Sequence, residues 1–389
     1  MEAVYLDHAA TTPVRPEVRE AMEPYLGPRF GNPSSPHRWG REARTALDEA
    51  RERVARCLGA RPDEVCFTSG GTEGDNLAVL GPWHARRERE PARRAVVTTP
   101  VEHKAVLAAV HQAAHEGAEA RTLDVDGCGR VAPASLDACV RDDVAVVSAM
   151  WVNNETGVVQ DVAAVAARAR AMGAVFHTDA VQAFGKVPID VAGLPVDLLT
   201  LSGHKIGAPK GIGALYIRRG TPFQPLFHGG AQDRGRRPGT ENVAFAVGLA
   251  VAAERALAER EVEGARLAAL RDALESRLLA RVPDLVVHGR GAQRAPHVSM
   301  LSIPAVDGET LLMGLDLHGI ACTGGSACQT GSSAPSHVLT AMGIEPALAA
   351  GAVRLSLGCL SDEACIDRVV AVLPMLVERA RDVTALPAW

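Results

Sequence analysis

Export signals, membrane spans and cysteine clusters are all absent from this sequence. The first residues, MEAVYLDHAATTP, carry Glu2 and Asp7 where a signal peptide would carry positive charge, and they lack an apolar core. The most apolar stretch, Val243–Ala253, is too short to cross a bilayer. The eight cysteines include no CxxC pair, and their spacing fits neither a zinc site nor a disulfide framework. These absences predict a cytoplasmic protein with free thiols and without a bound metal.

The charge balance argues against nucleic acid as a main ligand. The formal net charge is −5, and no run of lysine or arginine forms a basic stripe. Hydrophobic residues make up 47% and charged residues 22%, which is typical of a soluble globular protein. With 389 residues the chain is too long for one small core, so two domains are expected.

Strand and helix patterns alternate through the first part of the chain. Continuous apolar runs, which suit strands buried on both faces, occur at Val65–Ser69, Ala95–Thr99, Val144–Trp151, Ala174–His177, Val196–Leu201 and Ala214–Ile217. Helical patterns cover Pro16–Leu26, Trp39–Leu58 up to a stop at Gly59, a stretch from about Asp75, Lys104–Glu116 and Val162–Met172. This order predicts an α/β fold with a mostly parallel sheet between helices.

The pattern changes from about Asn242 to a long helical stretch, Asn242–Leu279, with a predicted break near Gly264. Two strands and two helices are predicted beyond it, at Val298–Ile303, Val353–Leu357, Glu309–Leu317 and Asp362–Arg379. We interpret this part as a smaller α+β domain against which the first dozen residues pack. The predicted domains are residues 14–255, and residues 1–13 together with 256–389.

Ligands of an open parallel sheet bind at the carboxyl ends of its strands, so the residues that follow each strand are considered together. After Val65–Ser69 comes a glycine-rich turn, Gly70–Gly74, that leads into a helix. Free N–H groups at a helix N-terminus form a natural phosphate seat, and Gly71 and Thr72 lie there. The GxxxxGK[ST] pattern of nucleoside triphosphate loops is absent, and a plain strand–helix turn is the alternative.

Polar residues follow the next three strands as well. His103 opens a helix, where it is either incidental or able to stack on a ligand and move protons. Asn153 and Asn154 suggest either a turn or an amide that binds a ligand. Asp179 ends a buried strand, where an unpaired carboxylate is costly. It is therefore either a helix N-cap or the partner of a protonated heterocyclic nitrogen.

Lys205 lies in the stretch LSGHKIGAPKGIG, at the mouth of the buried strand Val196–Leu201, after Ser202 and His204. A partly desolvated amine can lose its proton and form a Schiff base with a carbonyl, although most lysines are simply exposed. A phosphate seat, a stacking histidine, a buried aspartate and an amine at one sheet edge together predict a site for pyridoxal 5′-phosphate.

The sequence resembles the class V (NifS/IscS-like) cysteine desulfurases, which are fold-type I pyridoxal-phosphate enzymes. The resemblance runs nearly end to end and depends on the following segments: YLDHAATTP (5–13), GNPSSPH (31–37), FTSGGTEGDN (67–76), EHKAVL (102–107), VNNETG (152–157), HTDAVQ (177–182), SGHKIGAPKGIGALY (202–216), RPGTEN (237–242), GSAC (325–328) and VRLSLG (353–358). It implies a large domain with a mainly parallel seven-stranded sheet and a smaller α+β domain.

The resemblance also implies roles for individual residues. Lys205 would carry the cofactor covalently, Asp179 would bind the ring nitrogen, Gln182 the ring oxygen, and His103 would stack on the ring and shuttle protons. The phosphate would be held by Gly71, Thr72, Ser202 and His204, with Thr240 reaching the site of the partner subunit in a homodimer. The cofactor would also contact Asn154, and the substrate carboxylate would be bound by Asn154 and Arg354.

Cys328 would be the catalytic thiol that the resemblance implies. It lies in a segment of small polar residues, TGGSACQTGSSAP (323–335), which we expect to be mobile. The thiol would take sulfur from L-cysteine as a persulfide, leave L-alanine and pass the sulfur to protein acceptors for iron–sulfur assembly, tRNA thiolation or another thio-modification. A selenocysteine lyase, another class V aminotransferase-like enzyme and a sulfur-relay scaffold without turnover are the alternatives.

Some positions depart from the usual family pattern. Pro238 stands where a serine is usual and could shift the loop that carries Thr240, and Gly74 replaces a common serine. Cys322 is an extra thiol near Cys328. It is either a resting partner for Cys328 or a core thiol at the end of a short strand.

Overall fold

The structure is a computed structural model that describes residues 3–324 and 335–384. In chain order, its strands are β1 (Val4–Tyr5), β2 (Val65–Thr68), β3 (Ala95–Thr98), β4 (Glu119–Thr122), β5 (Val144–Ser148), β6 (Val175–Asp179), β7 (Leu198–Ser202), β8 (Gly213–Ile217), β9 (Val286–Val287), β10 (Val298–Ser302), β11 (Ile320–Ala321) and β12 (Ala352–Ser356). The α-helices are α1 (Pro16–Leu26), α2 (Arg38–Leu58), α3 (Gly71–Arg89), α4 (Lys104–His115), α5 (Pro133–Cys139), α6 (Val162–Ala171), α7 (Val243–Leu279), α8 (Gly308–Leu317), α9 (His337–Ala341), α10 (Pro346–Ala350) and α11 (Glu363–Thr384).

Seven strands form the large sheet, in the order β2-β8-β7-β6-β5-β3-β4. Strands β3 to β7 pair in parallel, and β8 is antiparallel to both of its neighbours. The inner strands are buried on both faces, as their continuous apolar sequences require. The predicted α/β fold with a mainly parallel sheet between helices is confirmed.

Two details of the large sheet differ from the prediction. Strand β4 was not predicted, because its sequence EART is polar and largely exposed at the sheet edge. Helix α3 begins at Gly71 rather than near Asp75, so Gly71–Gly74 form its first turn and not a separate loop. The chain therefore passes from β2 into α3 through only Ser69 and Gly70, which places the helix N-terminus directly at the sheet edge.

A second sheet, in the order β12-β10-β9, is antiparallel and belongs to the C-terminal part of the chain. Strand β1 pairs in parallel with β11, and Asp7 forms a bridge with Ser356 at the end of β12. Val4 and Leu6 are buried in the same apolar core as these strands. The N-terminal residues therefore pack against the C-terminal part, while the proposed domain boundaries stay a prediction.

Helix α7 runs unbroken over 37 residues, so the predicted break near Gly264 is wrong. Its first half packs in the core of the large sheet and its second half, around Leu267–Leu278, in the core of the second sheet. Gly264 has a helical backbone, and a single isolated glycine does not stop a helix that is packed along its length. Among the described residues, no helix is long and apolar enough to cross a membrane.

We predict that Gly264→Ala stabilises the protein. A Cβ atom at this position would meet nothing closer than the Pro296 ring at 4.0 Å. Alanine should therefore gain the helix propensity difference of about 1 kcal/mol without a steric cost. Urea unfolding measures this as a higher midpoint.

The matched control is Gly40→Ala, a glycine-to-alanine change near the start of α2. There a Cβ atom would lie 2.2 Å from the Ser35 carbonyl oxygen, so the backbone would have to move. This variant should lose about 1–3 kcal/mol of unfolding free energy. A lower midpoint for Gly264→Ala would contradict our account of α7.

Candidate active site

A cavity of about 360 Å³ lies at the carboxyl ends of the large-sheet strands. This volume falls in the range of small-molecule sites. Ten of the twelve predicted site residues line it: Gly71, Thr72, His103, Asn154, Asp179, Gln182, Ser202, His204, Lys205 and Arg354. Strands that end at one sheet edge have thus brought together residues that are far apart in sequence.

The two remaining residues have different positions. Thr240 is exposed and does not line the cavity of its own chain. It follows Arg237, whose guanidinium pairs with Glu73 in the first turn of α3 at 2.9 Å. Cys328 lies outside the described residues. Cys322, the extra thiol, follows β11 and packs against the core of the second sheet, where burial raises its pKa to about 12.

Asp179 and His103 form the centre of the cavity wall. Asp179 ends β6, is only 4% exposed, and accepts a hydrogen bond from the Val181 N–H at 2.8 Å. Burial raises the pKa of Asp179, while His103, this N–H group and Lys205 oppose the rise. Burial lowers the pKa of His103, against the effect of Asp179. The ring accepts the Ala105 N–H with Nδ1 at 3.2 Å, so His103 is the N-cap of α4 and also faces the cavity.

Lys205 reaches the cavity from a short 3₁₀ turn, Gly203–Lys205, that directly follows β7. Its Nζ donates to the carbonyl oxygens of Ala9 and Ala10 at 2.6 and 2.7 Å. The N-terminal segment YLDHAATTP therefore forms part of the site, because its backbone positions the amine. The sequence predicted Lys205 itself but not these backbone acceptors.

The N-terminus of α3 lies at another part of the wall, where its first backbone N–H groups have no partner within the helix. No side chain caps this helix at Gly70, and a Cβ atom on Gly71 would lie 3.7 Å from the Ser202 Cβ. Thr72 and His204 line the same cavity. Burial lowers the pKa of His204 to about 4, so its ring is neutral at pH 7. Helix N–H groups, hydroxyls and a neutral ring are suitable donors for a phosphate.

Both the nitrogen and the oxygen of the Gln182 side-chain amide form hydrogen bonds. Its Nε2 donates to the Ala9 carbonyl at 2.8 Å, and its Oε1 lies 3.1 Å from the His297 Nε2. Since an amide oxygen only accepts, His297 carries its proton on Nε2. The orientation of the Gln182 amide is therefore fixed before any ligand binds.

The two neighbouring asparagines occupy different positions. Asn153 makes the turn, since its Oδ1 accepts the N–H groups of Glu155 and Thr156 at 2.9 Å each. Asn154 lines the cavity, and its Oδ1 is buried without a hydrogen-bond partner in the described structure. The turn interpretation is thus confirmed for Asn153, while ligand binding by Asn154 stays a prediction.

Arg354 lies on β12 of the second sheet and is only 2% exposed. Its Nη1 donates to the Asn154 carbonyl at 2.7 Å and its Nη2 to Asp7 at 3.0 Å. Its Nε has no hydrogen-bond partner in the described part of the chain. The guanidinium is therefore held in place and still has N–H groups for a carboxylate.

Both flanks of residues 325–334 are attached at this cavity. Thr323 pairs with Arg354 through backbone hydrogen bonds, and Ser336 donates its hydroxyl to the buried Glu155. His337 lines the cavity and bonds the Glu102 carbonyl at 2.9 Å. Burial raises the pKa of Glu155 to about 7, against the Ser336 hydrogen bond.

Two buried acids beside the site were not predicted from the sequence. Asp75 lines the cavity from α3, and Glu102 accepts the Met150 N–H at 2.7 Å. Burial raises the pKa of Glu102 to about 8. The available signal was an aspartate within the otherwise apolar stretch DNLAVLGPW. Helical aspartates are usually exposed, so the signal was weak.

The buried His177 under the cavity leads to a prediction about acid stability. Its ring contacts the Ser148 hydroxyl at 2.9 Å and the Thr200 hydroxyl at 3.0 Å, and burial lowers its pKa to about 3. Unfolding restores a pKa near 6.5, so the wild type loses stability as the pH falls below about 6.5. In His177→Asn this loss is absent. As the pH falls below about 6.5, the unfolding free energy of the wild type should therefore decrease relative to that of His177→Asn by up to about 1.4 kcal/mol per pH unit.

Urea unfolding of both proteins between pH 7.5 and 5 measures this slope, and the values at pH 7.5 give the constant cost of the lost hydrogen bonds. A difference that does not change with pH would contradict a neutral buried His177.

Comparisons with known proteins agree with this geometry. Residues 4–369 match the family Aminotransferase class-V. The chain is 47% identical to the cysteine desulfurase NifS of Azotobacter vinelandii, with 100% of this chain and 96% of that protein covered. It is 43% identical to the cysteine desulfurase IscS of Dictyoglomus turgidum, with 98% and 96% covered.

Solved structures show the same relationship. A NifS-like protein superposes with a TM-score of 0.90 at 35% identity, covering 97% of this chain and 100% of its own. DndA from Streptomyces lividans superposes with a TM-score of 0.76 at 38% identity, covering 91% and 99%. The chain therefore belongs to the class-V aminotransferase family and, within it, to the NifS/IscS-like cysteine desulfurases of the pyridoxal-phosphate fold type I.

Proposed function

We propose that this protein converts L-cysteine to L-alanine and holds the removed sulfur as a persulfide on Cys328 for transfer to protein acceptors. The observation that carries this proposal is the convergence of Lys205, Asp179, His103 and Arg354 on one cavity in a member of the cysteine desulfurases. An amine, a buried carboxylate, a proton carrier and a carboxylate-binding guanidinium are the groups that the reaction needs.

The residues present fit pyridoxal 5′-phosphate. Asp179 offers a buried carboxylate to a protonated ring nitrogen, and the N-terminus of α3 with Ser202 offers donors to a phosphate. Gln182 and Asn154 would contact the ring, with Lys205 as the covalent anchor. When bound, the cofactor supplies an electron-accepting ring that stabilises negative charge at the substrate α-carbon.

Proton transfer is assigned to His103 and Lys205. The lowered pKa of His103 leaves its ring neutral at pH 7, so it can accept a proton from the substrate. The Nζ of Lys205 lies between the Ala9 and Ala10 carbonyls, from which it can reach into the same cavity. Either residue can return the proton to the product carbon, which gives the methyl group of alanine.

The sulfur step is assigned to Cys328. Its thiolate attacks the substrate sulfur, a new S–S bond forms, and the bond between that sulfur and the substrate β-carbon breaks. The electron pair of the broken bond stays on the carbon side, which is protonated to alanine. The attachment of Thr323 and Ser336 at the cavity supports this role, because both flanks of the segment that contains Cys328 are held there.

Two variants test the chemistry. With L-cysteine and dithiothreitol, Cys328→Ser should lose sulfide release almost completely, because no thiol is left to take the sulfur. Lys205→Ala should lose the visible absorbance of the bound cofactor together with turnover. Sulfide and alanine are measured in the same samples.

The matched control is Cys359→Ser, which removes an exposed thiol and should keep the wild-type rate. Sulfide and alanine formed at the wild-type rate by Cys328→Ser would contradict the persulfide step and support another class V reaction. A comparison of cysteine with selenocysteine distinguishes a desulfurase from a selenocysteine lyase. A purified protein without bound cofactor would support a relay scaffold.

Arg354 gives a second prediction, for substrate recognition. Lysine keeps the charge but not the planar fork, so Arg354→Lys should lower kcat/KM for L-cysteine by about 10- to 100-fold. The loss should appear mainly as a higher KM. Cysteamine, which lacks the carboxylate, should bind to wild type and variant equally. An unchanged KM for L-cysteine would contradict this role of Arg354.

We also propose a cytoplasmic homodimer. The exposed position of Thr240, outside the cavity of its own chain, supports a contact with the phosphate bound by a partner subunit. Large apolar side chains that are exposed in the single chain, among them Phe30, Trp39 and Phe227, provide surface for such an interface. The sulfur acceptors are proteins that dock to this dimer, as is expected of a persulfide donor.

A further inference from the structure

Three carboxyl groups lie together under the cavity, on Asp75, Glu102 and Asp179. They are 1%, 0% and 4% exposed, respectively. One carboxylate oxygen each of Asp75 and Asp179 and one ring nitrogen of His103 lie within 4.8 Å of one another. Three negative charges in so small and dry a volume would be very costly, so the cluster must hold protons.

The hydrogen-bond partners distinguish the three acids. Asp179 accepts the Val181 N–H, and Glu102 accepts the Met150 N–H. Neither carboxyl oxygen of Asp75 has a hydrogen-bond partner in the described structure. The Thr200 hydroxyl favours ionisation of Asp75, but it does not reach hydrogen-bond geometry and is bound to His177. Asp75 is therefore the acid whose ionised form is least supported.

The titratable groups that face Asp75 offer it no strong counter-charge. His177 Nε2 lies 3.7 Å from Asp75 Oδ1, but burial lowers the pKa of this histidine to about 3. The pKa of His103 is also lowered. The other facing groups, Asp179 and Glu102, are acids that repel a charge on Asp75.

We infer that Asp75 is held as a neutral carboxylic acid and acts as a positioning residue that keeps the negative charge of the cluster on Asp179. Of the three acids, Asp179 has both His103 and Lys205 acting in favour of its ionised form. A neutral Asp75 behind it directs this charge into the cavity, toward the ring nitrogen. The inference rests on the proposed function only in one respect, namely that Asp179 binds the ring nitrogen of the cofactor.

The shift in the pKa of Asp75 agrees with this geometry. Burial, followed by the negative charge of Asp179, raises the pKa of Asp75 well above its usual range. Gly74 contributes to the packing, since a Cβ atom there would lie 2.6 Å from the Thr200 Cγ2. The family-atypical glycine at this position thus lets α3 approach β7 and brings Asp75 into the cluster.

Infrared spectroscopy of the purified protein without substrate tests the protonation directly. With ¹³C-labelled aspartate carboxyls, the wild type at pH 7 should show the carbonyl stretch of a protonated aspartic acid. Asp75→Asn should lose this band, and the matched control Glu102→Gln should keep it. Absence of the band in the wild type, or its persistence in Asp75→Asn, would overturn the inference.

The same spectra test the coupling to Asp179. In Asp179→Asn the like charge is removed, so the Asp75 band should disappear at a pH at least about one unit lower than in the wild type. If the Asp75 band disappears at the same pH in both proteins, Asp75 is a buried acid with no influence on Asp179, and the positioning role is overturned. This comparison needs no Asp75 variant to fold.

These measurements involve no turnover. A protein that shows the shifted titration but releases no sulfide would contradict the proposed function alone. A protein that releases sulfide and lacks the band would contradict only the role of Asp75.

Discussion

The buried carboxyl group of Asp179 is the constraint on which the rest of the site depends. A carboxylate at the end of a fully buried strand is stable only if the surroundings compensate the lost hydration. The lost hydration is compensated in part by the Val181 N–H, His103 and Lys205. Burial nevertheless raises the pKa of Asp179. The other groups packed around it avoid charge, since burial favours the neutral form of His177 and of Asp75. A cation bound in the cavity would therefore stabilise the ionised form of Asp179 further.

The parallel sheet explains why so many polar groups lie close to Asp179. Strands β3, β5, β6 and β7 end at one edge of the sheet. His103, Asn154, Asp179 and Lys205 lie at these strand ends or in the segments that follow them. The guanidinium of Arg354 comes from elsewhere, because this residue belongs to the second sheet. Its hydrogen bond to the Asn154 carbonyl connects the second sheet to the loop after β5, and its bond to Asp7 connects it to the N-terminal segment. The distance between Arg354 and the residues on the large sheet is therefore set by the packing of one sheet against the other.

Local signals in the sequence were sufficient for much of this architecture. Pro16 begins α1, and Gly59 ends α2 with a left-handed backbone, because both residues act through their own conformational limits. The strand-end residues were predictable since apolar runs locate the sheet edge. What failed depended on distant packing. The polar strand β4 has no apolar pattern, and Gly264 stays helical because both halves of α7 are packed. The position of Asp75 depends on the approach of Gly74 to Thr200, which no local pattern encodes.

Arg354 connects the cavity to the start of the segment that contains Cys328. The side chain of Arg354 faces the cavity, while its backbone N–H and carbonyl pair with Thr323 at 2.7 and 3.3 Å. Thr323 begins the segment that carries Cys328, and Ser336 on its far side is bound to Glu155, the residue after Asn154. A displacement of β12 would therefore move the Arg354 guanidinium and Thr323 together. The second sheet thus does more than complete the cavity, because it joins the group proposed to bind the substrate to the chain proposed to receive its sulfur.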